Sequence, residues 1–264
     1  MSARIFKLVE AMRGECTGAQ MVIGGAPEGA GLVGAALVLE CKDAAKVKGM
    51  LAEMTKIVPD FIKDADIPDR ALSQLSITYT AAKDSTGMDV IEITHPELLS
   101  MPDEQKKMLK SIIGEDVLRI QVASVDGAVV LTFGGGEKFM AEALKAAKGG
   151  GTIPAEAGVK EVMKVMPKNL TEIVLFNPSN LLTLISKGAE LVGQGDAMPP
   201  IKLTTQTPIA VGTGVTGSAQ HVRVYVPVTL VKEATNAIMG LIMGGMGGGR
   251  PAPMPMPAGG PENF

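Results

Sequence analysis

The stretch from Pro208 to Met243 constrains the fold most, because it carries two different periodicities in one short span. Ile209–Gly212 and Val222–Val226 are β-branched runs that suit a pleated surface, and the polar, glycine-rich Thr213–Gln220 between them reads as a loop. Leu230, Val231, Ala234, Ala237, Ile238, Leu241 and Ile242 then recur at three- and four-residue spacing, the apolar stripe of a helix. Thr229 is placed to cap that helix through its hydroxyl. A hairpin followed at once by a helix is therefore expected here.

The same order recurs upstream. Ile5, Leu8, Val9 and Met12 mark a helix, Gln20–Gly24 and Val33–Glu40 a pair of strands, and Asp43 the cap of a helix that Pro59 ends or kinks. Leu75–Thr80 and Met88–Thr94 read as a hairpin turning through Asp84–Gly87. Ser100 and Pro102 open a helix that Gly114 closes, and Asp126-Gly127 joins the strands Val117–Ala123 and Ala128–Phe133. Gly134-Gly135-Gly136 leads into another helix. Further on, Pro167 stops a short helix, Thr171–Phe176 is a strand, Ser179 caps a helix, and Ile201–Thr205 adds a strand.

Helix, hairpin, helix is thus expected three times, over Ile5–Ile62, Pro102–Lys148 and Ser179–Met243, with Ala35–Leu51 lying on Val222–Ile238 without a gap. The fold class is α+β, antiparallel hairpins with helices packed on one face. Residues 1–148 would form a first α+β region of two units, and 155–244 a second region holding the third. Gly149–Pro154 is the expected boundary, and 245–264 an expected disordered tail of Gly, Pro and Met.

The hydrophobic strand running straight into a helix (Gly34-Ala35-Ala36-Leu37-Val38-Leu39-Glu40-Cys41-Lys42-Asp43), its counterpart near the C-terminus and the Pro/Gly/Met tail resemble a family of exported bacterial proteins common in planctomycetes. The resemblance implies a repeated α+β fold, an envelope or extracytoplasmic location and no established activity. The chain departs from it in carrying no export signal, since Met1–Arg13 is amphipathic and charged throughout. A complete chain would be cytoplasmic; a chain that has lost an upstream strand and signal would be periplasmic or extracytoplasmic.

A net charge of −3 offers no electrostatic basis for binding nucleic acid, and with no Trp, two Tyr and six Phe there is little to stack on bases. The 17 Met are core filler for an aliphatic interior. No apolar run is long enough to predict a transmembrane helix. Gly212-Thr213-Gly214-Val215-Thr216-Gly217 spells G-x-G-x-x-G, but a dinucleotide site needs a helix opening in that motif, and a strand pattern follows instead. Gly134-Gly135-Gly136 lies between strand and helix, as an anion nest would, yet Glu137 occupies the first turn and no P-loop Lys follows. His95 and His221 have no second His nearby and read as strand-edge residues. No cofactor or metal is expected.

Cys16 and Cys41 are the more informative pair. In a hairpin centred between Glu28 and Gly29 facing residues sum to 57, which sets the two cysteines opposite each other as a candidate cross-strand disulfide. Ile238, Leu241 and Ile242 form a candidate interaction surface on the last helix. The resulting expectation is a non-enzymatic, envelope-associated or assembly protein that meets a protein partner or a second copy. The alternative is a carrier of an apolar ligand such as a lipid, held between sheet and helices. An enzyme would need His95 or His221 to converge with a carboxylate.

Overall fold

The computed structural model describes residues 3–64, 74–83, 87–149, 157–195, 201 and 203–247. Residues 84–86 of the expected turn, 150–156 around the expected boundary and 248–264 of the expected tail lie outside that set. The chain divides into two compact units, Met1–Val165 with Asn180–Met198, and Met166–Ser179 with Pro199–Phe264.

The first unit is built on six antiparallel strands: β1 (Cys16–Gly25), β2 (Val33–Cys41), β3 (Ser76–Thr80), β4 (Asp89–Thr94), β5 (Leu118–Val125) and β6 (Ala128–Phe133). They lie in the order β1-β2-β6-β5-β4-β3, so three sequential hairpins share one sheet. The first and third hairpins join through β2 and β6, with Leu37 opposite Leu131 and Val38 opposite Val130. Successive side chains of a strand point to opposite faces. Val129 and Val130 are neighbours on β6 and both are fully buried, so the sheet is covered on both sides at this strand, while edge strand β1 leaves Met21 and Ile23 exposed.

The two coverings differ. Helix α2 (Ala44–Asp64) lays Val47 and Leu51 on Leu39, Cys41, Ile91, Val122 and Val129. Two short helices, α3 (Pro96–Leu99) and α4 (Asp103–Ile113), follow β4, and α5 (Gly136–Ala147) follows β6. Helix α5 packs Met140 and Ala143 on Ala36, Ala123 and Val130, which belong to the opposite face. The expectation of helices on one face is therefore corrected. The cause is visible in β2 and β6, whose apolar runs are continuous rather than alternating, as strands buried on both faces require. The helix–hairpin–helix segments of the first unit place their second helices on opposite faces, so the expected repeat is not reproduced as a common packing arrangement.

Helix α1 (Ala3–Glu15) docks on α2 through Ile5, Leu8, Met50 and Ile57, with Phe61 against this cluster. Asp43 caps α2 as expected, its Oδ1 accepting from the Lys46 amide at 3.0 Å. Pro59 does not end α2, which continues to Asp64. A proline inside a helix forfeits one backbone bond, and burial of Ile57 before it and Phe61 after it offsets that loss.

A glycine junction joins α4 to the sheet. The Leu32 amide donates to Ile112 O at 2.8 Å and the Gly135 amide to Ile113 O at 3.0 Å. Gly114 ends α4 in the left-handed region, φ +80°, where a β-carbon would stand 2.1 Å from Ala30 O. Only glycine admits such an approach.

The second unit has a three-stranded antiparallel sheet in the order β7-β8-β9: β7 (Leu170–Phe176), β8 (Ile209–Thr216) and β9 (Ala219–Tyr225). Of the helices that flank β7 in sequence, α6 (Ala157–Met163) and, from Asn180 on, α7 (Pro178–Leu191) belong to the first unit, and α8 (Val228–Gly247) follows β9 in the second. The expected loop Thr213–Gln220 is mostly strand, with the turn reduced to Gly217-Ser218 and Gly217 at φ +61°. Among the described residues of 201–205 there is no strand. The Thr204 and Thr205 amides instead donate to Glu233 Oε2 at 2.9 and 3.2 Å. Ser179 is not the cap of α7: Asn177 Oδ1 accepts from the Ser179 amide, and the Ser179 hydroxyl donates to Thr205 O at 2.7 Å.

Two glycines separate close packing from backbone strain. Gly127 is also left-handed, φ +73°, but a β-carbon there meets nothing within 4 Å. Gly127→Ala should cost about 1 kcal/mol, the conformational penalty alone. Gly114→Ala should cost about 3 kcal/mol or more, because the Ala30 carbonyl must also move. Equilibrium urea unfolding of both variants measures the difference.

Candidate functional site

The glycines of G-x-G-x-x-G do structural work. On β8, Gly212 and Gly214 share a face with Ala210, and a β-carbon on Gly212 would lie 2.7 Å from Met166 Sδ. One on Gly214 would lie 2.6 Å from Asn169 O. The bare strand lets the segment Met166–Leu170 lie directly on it. Gly134 and Gly135 are likewise occupied by protein: a β-carbon on Gly134 would meet Val33 O at 2.5 Å, and the Gly135 amide is already given to Ile113 O. Neither motif presents a phosphate cradle.

His95 is buried and caps α3, its Nδ1 accepting from the Glu97 amide at 3.2 Å. Its position before Pro96 is the signal for this role, since a cap precedes a helix that opens on proline. His221 is exposed on β9 opposite Gly214. The two histidines belong to different units. Among the described residues, no three His, Cys, Asp or Glu are grouped to hold a metal.

Two polar clusters escape sequence reading. Asp89 opens β4 facing inward, on the side of Ile91, and is buried. Tyr79 Oη donates to its Oδ2, Lys48 Nζ lies 2.8 Å from the same oxygen, and the Ala82 amide donates to Oδ1 at 2.9 Å. Burial pushes the Asp89 carboxyl up, but the Ala82 amide, Lys48 and Tyr79 outweigh it and hold the group below its ordinary range. Burial first, then the bond to Asp89, raises the Tyr79 phenol well above its usual value. A phenol held neutral against a satisfied carboxylate is a lock between β3, β4 and α2, not a base or nucleophile. The second cluster lies on the α5 face, where Arg119 reaches Glu92 at 3.3 Å and Glu115 at 3.7 Å. Burial raises the Glu115 carboxyl despite Arg119.

Cys16 and Cys41 stand opposite each other, both as free thiols. The expected sum of 57 holds for this pair alone. From Gly18 to Gly25 facing residues sum to 58, and an irregularity between Cys16 and Gly18 shifts the register back by one.

The most exposed apolar surface of the second unit is one face of its sheet. Val174, Val211 and Val224 form a row across all three strands, and Phe176 pairs with Ile209 beside it. Val174 is 65%, Val224 61% and Val222, opposite Thr213, 64% exposed. On α8 the inward side is Leu230, Glu233, Ala234 and Ala237, while Val231 and Ile238 are exposed, a rotation of the expected stripe. The side chains of Leu241 and Ile242 lie outside the described set. In the first unit a cleft of about 180 Å³ lies between Ile93, Leu98, Leu109 and Leu118. A drug-sized ligand needs roughly 300 Å³ or more. Among the described residues, no helix is long and apolar enough to cross a membrane.

Comparison of the chain with protein-family models, curated proteins and solved structures finds no match.

Asp89→Asn should lower stability at neutral pH by about 2–4 kcal/mol, since Lys48 and Tyr79 lose an ionised partner in a buried site. The folded-state carboxyl is depressed, so its contribution is complete above the unfolded value of about 3.9 and is lost as pH falls through the folded value. Below that pH the two proteins should converge, as read by thermal unfolding across an acid series.

Proposed function

We propose that the protein is a non-enzymatic assembly component that binds a second copy of itself through the uncovered face of β7-β8-β9. The supporting observation is the valine row Val174–Val211–Val224 with Phe176 and Val222 beside it, apolar side chains that the chain itself leaves in solvent. Domains are built by burying such a face against a second layer. A twisted, valine-rich sheet is complementary to its own copy, and two such sheets can pack about 10 Å apart as a sandwich.

Three strands about 4.8 Å apart and five residues long give roughly 250 Å² of projected face. That is no larger than the apolar patches an ordinary monomer exposes, and smaller than the roughly 800 Å² per partner of a stable complex. The contact is therefore weak and concentration-dependent unless Val231 and Ile238 of α8 join it. The internal pairing of Asp89 and the capping role of His95 favour a structural over a catalytic use of these groups. The carrier reading would need a larger apolar cavity than the cleft at Leu109. An envelope location, implied by the resemblance of the strand–helix junction and tail, belongs to the same proposal.

Sedimentation velocity over a wide concentration range tests this. Wild-type protein should self-associate reversibly, and Val224→Lys should weaken the association by at least about tenfold. Because Val224 is exposed, the variant should keep its folding stability within about 0.5 kcal/mol. A wild type that stays monomeric at millimolar concentration, or a variant that associates equally well, would contradict the proposal.

A further inference from the structure

The cysteine pair has a geometry that the register alone does not convey. In an antiparallel ladder, facing residues alternate between hydrogen-bonded and non-hydrogen-bonded sites, and the latter bring α-carbons to about 4.5 Å. The Lys42 amide donates to Glu15 O at 3.0 Å, joining the residue after Cys41 to the residue before Cys16. The Cys41 amide points the other way and donates to Gly127 O at 2.8 Å. Cys16 and Cys41 thus occupy a non-hydrogen-bonded site, whose spacing falls at the close end of the range a disulfide accepts. The register shift before Gly18 is what creates this site: without it Cys41 would face Thr17.

We infer that Cys16 and Cys41 are a redox pair that closes into an intramolecular cross-strand disulfide, stapling the end of α1 to the start of α2. The ends are already drawn together. Lys46 Nζ pairs with Glu15 Oε1, and Lys42 Nζ donates to Gly14 O at 2.8 Å. Both cysteines belong to the cluster that holds Val47, Leu51 and Val129. Cys16 is half-buried and Cys41 buried, so an oxidant meets Cys16 first. Burial, then the neighbouring Cys16 and Asp43, raises the Cys41 thiol, which leaves it less thiolate and disfavours it as the first attacker.

The co-reactant is a small-molecule or protein disulfide. The Cys16 thiolate attacks one of its sulfurs, forming a mixed disulfide and releasing one thiol. The Cys41 thiolate then displaces the second thiol. Two cysteine thiols are oxidised, one disulfide is reduced to two thiols, and the protons pass to the departing thiolates. This inference is independent of the proposed assembly, because the pair lies in the first unit and the valine face in the second.

The test treats the full chain with glutathione disulfide and reads intact mass and thermal unfolding. Wild type should lose two hydrogens without gaining glutathione, and the melting temperature should rise by about 5–15 °C and return on reduction. Cys41→Ala should stop at a glutathione adduct on Cys16, and Cys16→Ser should resist modification while folded. A wild type that stops at the Cys16 adduct, that cross-links between chains, or that keeps both thiols under the same treatment would overturn the inference. So would closure that leaves the melting temperature unchanged or lowered.

Discussion

The pairing of β2 with β6 is the constraint on which the first unit rests. It joins hairpins that are far apart in sequence, with Ala36 opposite Thr132 and Leu39 opposite Val129. Closing so long a loop costs entropy that local contacts do not offset. The burial of both faces at this seam supplies the compensation: Leu39 and Val129 go under α2, and Ala36 and Val130 under α5. The glycine junction at Gly114 then fixes where α4 ends relative to the β1–β2 loop, because its approach to Ala30 leaves no room for any other residue. The Asp89 lock lies beyond that seam, on β3 and β4 at the other edge of the sheet.

The second unit follows a different economy. Its central strand β8 is covered closely on one face, where Ala210 is fully buried and Gly212 and Gly214 admit the Met166–Leu170 segment. The other face carries valines that are exposed among the described residues. Glu233 adds a polar tether: the Thr204 hydroxyl, with the two threonine amides, holds its carboxyl below the ordinary range.

Much of this architecture could be read from sequence, and the misses have physical causes. The α+β class, the order of the nine described strands apart from a tenth expected at Ile201–Thr205, and the Asp126-Gly127 turn follow from periodicity and turn chemistry. The covering of both faces was signalled by Ala35–Leu39 and Val129–Leu131, continuous apolar runs that a search for alternation passes over. The cysteine pairing was legible, but the irregularity before Gly18 that produces it was not, because no residue type there demands one. Asp89 could have been noticed as a charged residue on the inward side of β4, though its partners Lys48 and Tyr79 come from other elements. The glycines of β8 and the Asn177 cap depend on which segment lies against which, information that only the tertiary structure holds.

Among the described residues, the sheet of the second unit leaves one apolar face exposed, whereas the β2–β6 seam of the first is buried on both faces. Solution NMR of valine methyl groups with a soluble paramagnetic agent tests it most directly. In dilute protein, Val174, Val222 and Val224 should relax strongly while Val47, Val122, Val129 and Val130 are spared, and concentrating the protein should protect the first set alone. If Val174 and Val224 were as shielded in dilute protein as Val129, the chain would cover its own valine face and the account would be wrong.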